Sequence, residues 1–180
     1  MLYSIILAST LDGGIGHNNI IPWNIPDEMH LFRTITTETK NYKKNVLIMG
    51  RKTWESINCK PLKNRLNIII TSDNHFVNSE NVKSFSNIKN AFEYCGKRID
   101  IYKVFVIGGK MIYDLCFSKY SNNIENVYLT IINKNYNCNT KIDLKVILKN
   151  YEAVIESVIF HKFFLHMRMI KKQPLQVEAQ

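Results

Sequence analysis

Hydrophobic residues along the chain form short apolar runs separated by polar, often glycine-containing segments. The runs are rich in Ile, Val and Leu, which is typical of strands buried inside a sheet. They predict strands at residues 3–8, 46–49, 67–71, 82–85, 104–107 and 127–132. Between them, helical spacing predicts helices from Asp27 onward, over 50–57, over 88–96 and after Gly109. This alternation predicts one α/β domain with a mostly parallel central sheet and helices on both faces.

The C-terminal part of the chain has a different period. Residues 153–159 and 163–170 predict an antiparallel pair of strands that completes the sheet. Apolar side chains alternate onto one face of the second strand, at Phe163, Leu165, Met167 and Met169. We predict one domain over residues 1–170, a loop over 73–81 and a polar, flexible tail over 171–180.

Composition bounds the class of protein. A chain of 180 residues with 46% hydrophobic residues fits one globular domain with a sizeable core. No apolar run reaches the ~18 residues that a membrane-spanning helix requires. The N-terminus enters a strand pattern without a basic leader. We therefore expect a cytoplasmic protein that does not bind membranes.

The cysteines and histidines give no sign of a disulfide framework or a metal site. The five histidines lack the spacing of zinc ligands, and we predict no metal. Wide spacing predicts that all the cysteines are free thiols: Cys59, Cys95, Cys116 and Cys138.

The formal net charge of +9 admits a nucleic acid, an acidic surface or a small anionic ligand as a partner. Scattered cations are typical of a solvated surface, and no nucleic-acid-binding module is recognisable, so nucleic-acid binding is not predicted as the main function. The cations gather in three clusters: Lys40, Lys43 and Lys44; Lys60, Lys63 and Arg65; and Arg168, Lys171 and Lys172.

One carboxylate is predicted to lie against apolar side chains. Pro26 suits the first turn of a helix, and after it Glu28 shares one helical face with Leu31, Phe32 and Ile35. A carboxyl group on such a face is partly desolvated, which raises its pKa. The alternative is an ordinary half-exposed glutamate that the helix dipole favours in the first turn. The spacing alone leaves both open.

Two glycine-containing turns each follow an apolar run and precede a helix. Gly108 and Gly109 form one turn, where helix N–H groups can hold a phosphate. A simple tight turn is the alternative there. In the other turn, Gly50 precedes Arg51 and Lys52, whose charges oppose the helix dipole unless an anion is bound. A pair of merely solvated cations is the alternative.

Four motifs occur in order along the chain with compatible spacing. They are Pro22-Trp23-Asn24-Ile25-Pro26-x-Glu28, Met49-Gly50-Arg51-x-Thr53-Trp54-Glu55-Ser56-Ile57, Pro61-Leu62 followed by Arg65-x-Asn67, and Val106-Ile107-Gly108-Gly109-x-x-Ile112-Tyr113. Together they closely resemble the dihydrofolate reductase family, over about residues 4–168. The resemblance implies that family's fold and the NADPH-dependent reduction of 7,8-dihydrofolate to 5,6,7,8-tetrahydrofolate, a step of one-carbon metabolism and thymidylate synthesis that antifolates target.

The resemblance implies a folate site, position by position. Glu28 matches the family's single active-site acid, which binds the pterin while hydride reaches C6 and a proton, from water, reaches N5. Thr130 matches a threonine that braces this acid, and Trp23 completes the implied catalytic set. Arg65 matches the arginine that binds the α-carboxylate of the substrate's glutamate tail. The other implied substrate contacts are Ile6, Ala8, Met29, Phe32, Ile57, Ile107 and Tyr113.

The resemblance also implies an NADPH site. Arg51 and Ser72 match positions beside the adenosine 2′-phosphate, and Lys52 adds charge there. Residues 11–23 match a mobile loop whose closing and opening gate turnover. The other implied cofactor contacts are Ala8, Ile15, Gly16, Gly50, Thr71, Ile107, Gly108, Lys110, Met111, Ile112 and Tyr113, with Thr53 and Gly109 at the phosphates.

Two other functions stay open. A related enzyme that reduces a different pterin or pyrimidine with NADPH would leave Arg65 without a partner. A basic binding module would bind polyanions without turnover and gives no reason for Glu28 beside apolar residues. The resemblance favours dihydrofolate as the substrate and a monomer, unless the tail after Ile170 links to a fused thymidylate synthase. A free end and a cloning remnant are the alternatives for that tail.

Overall fold

Strands and helices alternate along the chain, as the residue pattern predicts. The computed structural model describes residues 1–73 and 79–173. The strands are β1 (Tyr3–Thr10), β2 (Gly14–Gly16), β3 (Lys44–Gly50), β4 (Arg65–Ile70), β5 (Val82–Phe85), β6 (Ile101–Val106), β7 (Ile124–Ile132), β8 (Thr140–Lys141), β9 (Tyr151–Ala153), β10 (Ile159–Phe160) and β11 (Phe164–Lys171). The α-helices are α1 (Pro26–Thr37), α2 (Arg51–Ser56), α3 (Ile88–Gly96), α4 (Lys110–Lys119) and α5 (Leu144–Asn150).

One large sheet organises this part of the chain. Its strands follow the order β10-β11-β7-β1-β6-β3-β4-β5, and β9 pairs with β11. Every neighbouring pair from β7 to β5 is parallel. Strand β11 joins β7 antiparallel, and β9 and β10 pair antiparallel with β11. The predicted fold class, a mostly parallel sheet with antiparallel C-terminal strands, is confirmed.

Both faces of the sheet are buried. On β1, Ile5 and Leu7 pack in a hydrophobic cluster with residues of α3, α4 and α5. Ile6, between them, packs on the opposite side with Phe32 of α1 and Trp54 of α2. Successive side chains of a strand point to opposite faces, so α1 and α2 cover one face and the other helices cover the second.

The C-terminal antiparallel pairing is shorter than predicted. Strand β9 ends at Ala153 and β10 begins only at Ile159, so the prediction of one strand over 153–159 is wrong. Between them the Ser157 hydroxyl donates to the Val154 carbonyl at 2.6 Å and accepts from the Arg168 N–H at 3.0 Å. This side chain takes a place that a backbone bond would occupy in a continuous ladder, and the chain makes a 3-10 turn there.

Several short elements were not predicted. Strands β2 and β8 form a small two-stranded sheet, and α5 precedes β9. Strand β11 continues through Lys171. Residues 174–180 of the predicted tail and residues 74–78 of the predicted loop lie outside the described residues.

The cysteines are free thiols, as the spacing predicts. Cys59 is exposed, and the other three side chains are buried. Within the described ranges, no helix combines the length and the apolar character needed to cross a membrane.

Candidate active site

Helix α1 begins beside the sheet and carries Glu28 in its first turn. Pro26 occupies the start of the helix, where its missing N–H costs no hydrogen bond. The Glu28 side chain is half-buried, and its carboxylate has no hydrogen bond or ion pair with any residue that the structure describes. Burial raises the pKa of Glu28 to about 7. The acid therefore populates both protonation states near neutral pH, as the spacing argument anticipated.

An apolar wall continues from Glu28 along α1. Phe32 and Ile35 pack against a buried cluster that includes Ile6 of β1 and Trp54 of α2, and Ile57 joins the same cluster. The predicted contacts Ile6, Phe32 and Ile57 are thus brought together. Another predicted contact, Met29, is 59% exposed on α1.

Arg65, the first residue of β4, is the charged group at the far end of this wall. It is only 5% exposed, although its sequence cluster with Lys60 and Lys63 was interpreted as solvated surface. Its Nε donates to the Lys63 carbonyl at 3.0 Å, and its Nη1 donates to Thr36 Oγ1 at 2.7 Å. No acid among the described residues pairs with it. Burial, with Arg33 nearby, lowers the pKa of Arg65 to about 10, so the guanidinium stays charged at neutral pH.

The two charged groups lie near opposite ends of the apolar surface that α1 shares with β1 and α2, and we refer to this surface as the cleft. Thr36, which holds Arg65, lies eight residues after Glu28 on α1. A rise of about 1.5 Å per residue separates these two positions by about 12 Å along the helix. The cleft beside α1 therefore offers a carboxyl group at one end, a guanidinium at the other and an apolar surface between them. Such a cleft fits an elongated ligand with polar groups at both ends.

The sheet forms the floor of the cleft. Ala8, Thr130 and His166 are register partners on the neighbouring strands β1, β7 and β11. Thr130 Oγ1 lies 2.9 Å from His166 Nδ1, and this is the hydrogen bond that the Thr130 side chain makes. The bracing contact from Thr130 to Glu28 stays a prediction. Two residues before Ala8 on β1, the Ile6 carbonyl accepts a hydrogen bond from the Tyr113 hydroxyl at 2.9 Å.

The loop before α1 is bonded to a second segment of the chain, residues 139–141, by an ion pair and hydrogen bonds. Asp12 is ion paired with Lys141, and Asn18 and Asn139 exchange two hydrogen bonds. The β2–β8 pairing, which includes the predicted contacts Ile15 and Gly16, adds backbone bonds between the same segments. Trp23, at the end of the loop, is buried against the Tyr136 ring at a centroid distance of 5.6 Å.

The two glycine turns meet at the carboxyl ends of β3 and β6, which are neighbours in the sheet. The Gly50 N–H donates to the Gly108 carbonyl at 2.7 Å. A Cβ on Gly108, where φ is +104°, would lie 2.8 Å from the Tyr113 ring. A Cβ on Gly109 would lie 3.2 Å from Thr53 Oγ1. Side chains at these two positions would therefore crowd the protein's own atoms, and the absence of a Cβ lets the turns pack this closely.

Charged side chains surround this glycine-lined edge, and two of them already have partners. Arg51 is ion paired with Glu55, and Lys110 pairs with Asp114 at 2.9 Å. For Arg51 an acid one turn later thus supplies the opposite charge, and anion binding by Arg51 and Lys52 stays a prediction. Lys52 is exposed.

The remaining predicted cofactor contacts are divided between surface and core. Thr71 is buried and its hydroxyl accepts from the Asp73 N–H at 3.1 Å, whereas Ser72 is exposed. Met111 is 82% exposed and Ile112 is buried below Gly50. Ile107 is half-buried at the edge of the cluster that lines the cleft.

Comparison with known proteins decides the family. The family model described as Dihydrofolate reductase matches residues 2–159. The chain belongs to the dihydrofolate reductase family. A bifunctional dihydrofolate reductase-thymidylate synthase of Zea mays is 37% identical over 187 residues, which cover 94% of this chain and 34% of the relative. A dihydrofolate reductase of Heliothis virescens is 36% identical over 143 residues, which cover 76% of each chain.

The bifunctional relatives are much longer than this chain. Bifunctional dihydrofolate reductase-thymidylate synthase 1 of Arabidopsis thaliana is 38% identical over 151 residues, which cover 78% of this chain but 28% of the relative. The chain thus spans about a quarter to a third of the length of the first three bifunctional relatives.

Sequence reasoning missed three side chains in this dihydrofolate reductase fold. Nothing in the sequence around Thr36 indicates a functional role, because its contact with Arg65 forms only in the folded chain. Tyr136 lies in a segment without periodicity, yet it covers Trp23. His166 sits between apolar residues in the last strand, and a polar side chain within an apolar strand was the available signal.

Proposed function

We propose that the chain catalyses the NADPH-dependent reduction of 7,8-dihydrofolate to 5,6,7,8-tetrahydrofolate. The observation that carries this proposal is the presence of Glu28 and Arg65 at opposite ends of one apolar cleft, each without a partner of opposite charge among the described residues. Dihydrofolate has a hydrogen-bonding pterin at one end, a carboxylate-bearing glutamate at the other and an aromatic ring between. Family membership supports the same substrate.

Glu28 binds the pterin end. Its two carboxylate oxygens accept hydrogen bonds from the 2-amino group and a ring N–H, in the fork geometry of an arginine–carboxylate pair. At the other end Arg65 pairs with the α-carboxylate of the glutamate tail, which gives the buried guanidinium the counter-charge that none of the described residues supplies. Phe32 and Ile57 enclose the rings between these two contacts.

Glu28 also supports the proton transfer. A pKa of about 7 lets the acid hold a proton next to the pterin at physiological pH, which favours protonation at N5. In this account the side chain polarises the pterin, and the proton itself arrives from water. Glu28 is partly exposed to solvent, which supplies that water.

The glycine-lined edge of the sheet fits the cofactor. A Cβ at Gly50, Gly108 or Gly109 would crowd Ile112, Tyr113 or Thr53, so the glycines let the two turns pack closely, and the N-terminus of α4 presents backbone N–H groups at the same edge. NADPH, when bound, supplies the hydride. Thr53 and the α4 N–H groups would hold the pyrophosphate, and Arg51 with Lys52 would hold the 2′-phosphate.

The proposal covers the reductase reaction of residues 1–170 alone. The names of the bifunctional relatives include a thymidylate synthase activity, and those proteins are about three to four times as long as the stretch that matches here. A monomer that acts on dihydrofolate in the cytoplasm is the corresponding proposal for this chain.

The proposal is tested by following NADPH absorbance with and without dihydrofolate and by identifying the product. We expect oxidation that requires both compounds, yields tetrahydrofolate and is slower with NADH. Tight NADPH binding without dihydrofolate turnover would contradict the assigned substrate. Absence of NADPH binding would contradict the assigned reaction.

A further inference from the structure

The floor of the cleft contains a buried histidine next to Thr130. His166 and Thr130 are each 4% exposed and face one another as register partners on β11 and β7. Their side chains are joined by a hydrogen bond of 2.9 Å between Nδ1 and Oγ1. In a buried pair of one histidine and one threonine, the position of the single proton on the neutral imidazole ring decides which side chain donates the hydrogen bond.

His166 lies on the α1 side of the sheet. Its ring stacks on Tyr128 with the centroids 6.3 Å apart, and Tyr128 packs in the same cluster as Phe32 of α1. Ala8, the other register partner of Thr130, packs in a cluster with Leu31, which shares a helical face with Glu28. Thr130 and Glu28 therefore both lie on the side of the sheet that α1 covers.

The hydrogen bond can run in two directions. Burial lowers the pKa of His166 to about 4, so the ring is neutral and carries one proton at physiological pH. If Thr130 donates to Nδ1, its only hydroxyl hydrogen is used. If Nδ1–H donates to Thr130, that hydrogen stays free to be donated elsewhere. An ionised carboxylate only accepts hydrogen bonds, so it gains from the second arrangement alone.

We propose that His166 is a positioning residue for the reaction, which donates from Nδ1–H to Thr130 and thereby directs the Thr130 hydroxyl hydrogen toward Glu28. This inference rests on the proposed function of Glu28. It assigns to His166 a role that reaches the active-site acid only through Thr130. A phenylalanine of similar shape could fill the same space but could not set the direction of the bond.

The charges around His166 enter the design of the test. Burial raises the pKa of the stacked Tyr128, so this neighbour is neutral as well. Arg168, two residues along β11, donates to Asn126 at 3.1 Å. Other titratable or charged groups that the structure describes on this side of the sheet include Arg168 on β11, Asp27 and Glu28 on α1, and Arg65 on β4. Glu38 and Tyr102 act on Tyr128, and His161 pairs with Asp27 at 3.5 Å.

The ring proton can be located directly. Nitrogen-15 NMR of histidine-labelled protein distinguishes Nδ1–H from Nε2–H in a neutral ring and needs no turnover. We expect the Nδ1–H form for His166 at neutral pH. The Nε2–H form would overturn the proposal, because Thr130 would then have to donate to the ring.

The effect on the acid is tested by variants. In His166→Phe, the hydroxyl hydrogen of Thr130 is no longer directed toward Glu28. We therefore expect the pKa of Glu28 to rise by about one pH unit, as measured by carbon-13 NMR of its carboxyl group. His166→Asn places an N–H near the position of Nδ1–H and is expected to restore most of the shift. In a Thr130→Val background, His166→Phe is expected to leave the Glu28 titration unchanged. The exposed His30→Asn on α1 is the matched control.

Each outcome separates a positioning role from a structural one. A Glu28 titration that moves equally in the Phe and Asn variants, or that still moves without the Thr130 hydroxyl, would overturn the proposal. In turnover, the alkaline limb of kcat/KM is expected to follow the Glu28 shift, and the NADPH KM is expected to stay constant. Wild-type protein without dihydrofolate turnover would contradict the proposed function, whereas the NMR results would still decide the role of His166.

Discussion

The cleft beside α1 and the glycine-lined edge of the sheet differ in how far their charged side chains are exposed and paired. In the cleft, Glu28 and Arg65 are withdrawn from water, and neither has a described partner of opposite charge. At the sheet edge, Arg51 and Lys110 are about half exposed, and each is ion paired with an acid of its own helix. The two regions thus recognise their ligands by different physical means.

This difference determines how much a single side chain contributes to the free energy of ligand binding. Water competes weakly for a desolvated charge, so a matching ligand group gains a large interaction energy in the cleft. At the sheet edge, an arriving phosphate meets backbone N–H groups and cations that are screened and already paired. Single substitutions are therefore expected to have large effects in the cleft and small effects at the edge.

Glu28→Gln is expected to have the largest effect of any substitution here. It keeps the size of the side chain but removes the charge and one acceptor, so we expect kcat/KM for dihydrofolate to fall by about 100- to 10,000-fold near neutral pH. Steady-state kinetics across pH checks this, with the NADPH Kd as the control for an intact fold. Near-normal turnover would mean that Glu28 is not the active-site acid.

Arg65→Ala is expected to be the next most harmful substitution. It removes the partner of the substrate carboxylate, and we expect the dihydrofolate KM to rise by about 30-fold or more with a much smaller change in kcat. Arg65→Lys keeps the charge without the planar fork and is expected to recover only part of the loss. The exposed Arg33→Ala is the control. Equal increases of the dihydrofolate KM in the Arg33 and Arg65 variants would indicate that positive charge in general attracts the substrate, without a specific contact to Arg65.

Stability is expected to change with pH in the Glu28→Gln variant. The folded-state pKa of about 7 lies above the ordinary value of 4.5, so Glu28 contributes fully to stability at low pH, and that contribution is lost as the pH rises through about 7. Relative to wild type, the variant is expected to gain about 1–3 kcal/mol of unfolding free energy between about pH 4 and pH 8.

Urea denaturation at several pH values measures this gain. Glu125→Gln, at an exposed position of β7, is the matched control. A stability difference between wild type and the Glu28 variant that is the same at every pH would contradict the desolvation of Glu28.

Arg51→Ala is expected to have the smallest effect. Because Arg51 is exposed and paired with Glu55, we expect the preference for NADPH over NADH to fall by only about 3- to 10-fold. Glu55→Gln frees the guanidinium and is expected to strengthen the same preference. Competition between the two cofactors measures both changes. An unaltered preference in both variants would exclude Arg51 from the 2′-phosphate site.

The fold and the position of Glu28 were predictable because both depend on local periodicity. Apolar runs marked the central strands, and spacing of three and four residues put Glu28 on the same helical face as Phe32 and Ile35, although it left the burial of Glu28 open. The burial of Arg65 was not predictable from its basic cluster. Composition does not distinguish a solvated cation from one that Thr36, 29 residues earlier, holds inside the protein.

His166 shows a second limit of periodicity. The alternation in the last strand drew attention to one face, and two of its members, Met167 and Met169, do pack with the core on that side. The intervening residues Phe164 and His166 are buried as well, because helices cover both faces of the sheet. Period-two patterns identify a buried face only when the other face meets water.

The central claim is that Glu28 and Arg65 bind opposite ends of one substrate. The direct test compares wild type, Glu28→Gln and Arg65→Ala in NADPH oxidation with dihydrofolate and with a dihydropterin that lacks the glutamate tail. We predict that the Glu28 variant loses activity toward both substrates, whereas the Arg65 variant loses activity toward dihydrofolate alone. Parallel losses on both substrates in the Arg65 variant would contradict the claim.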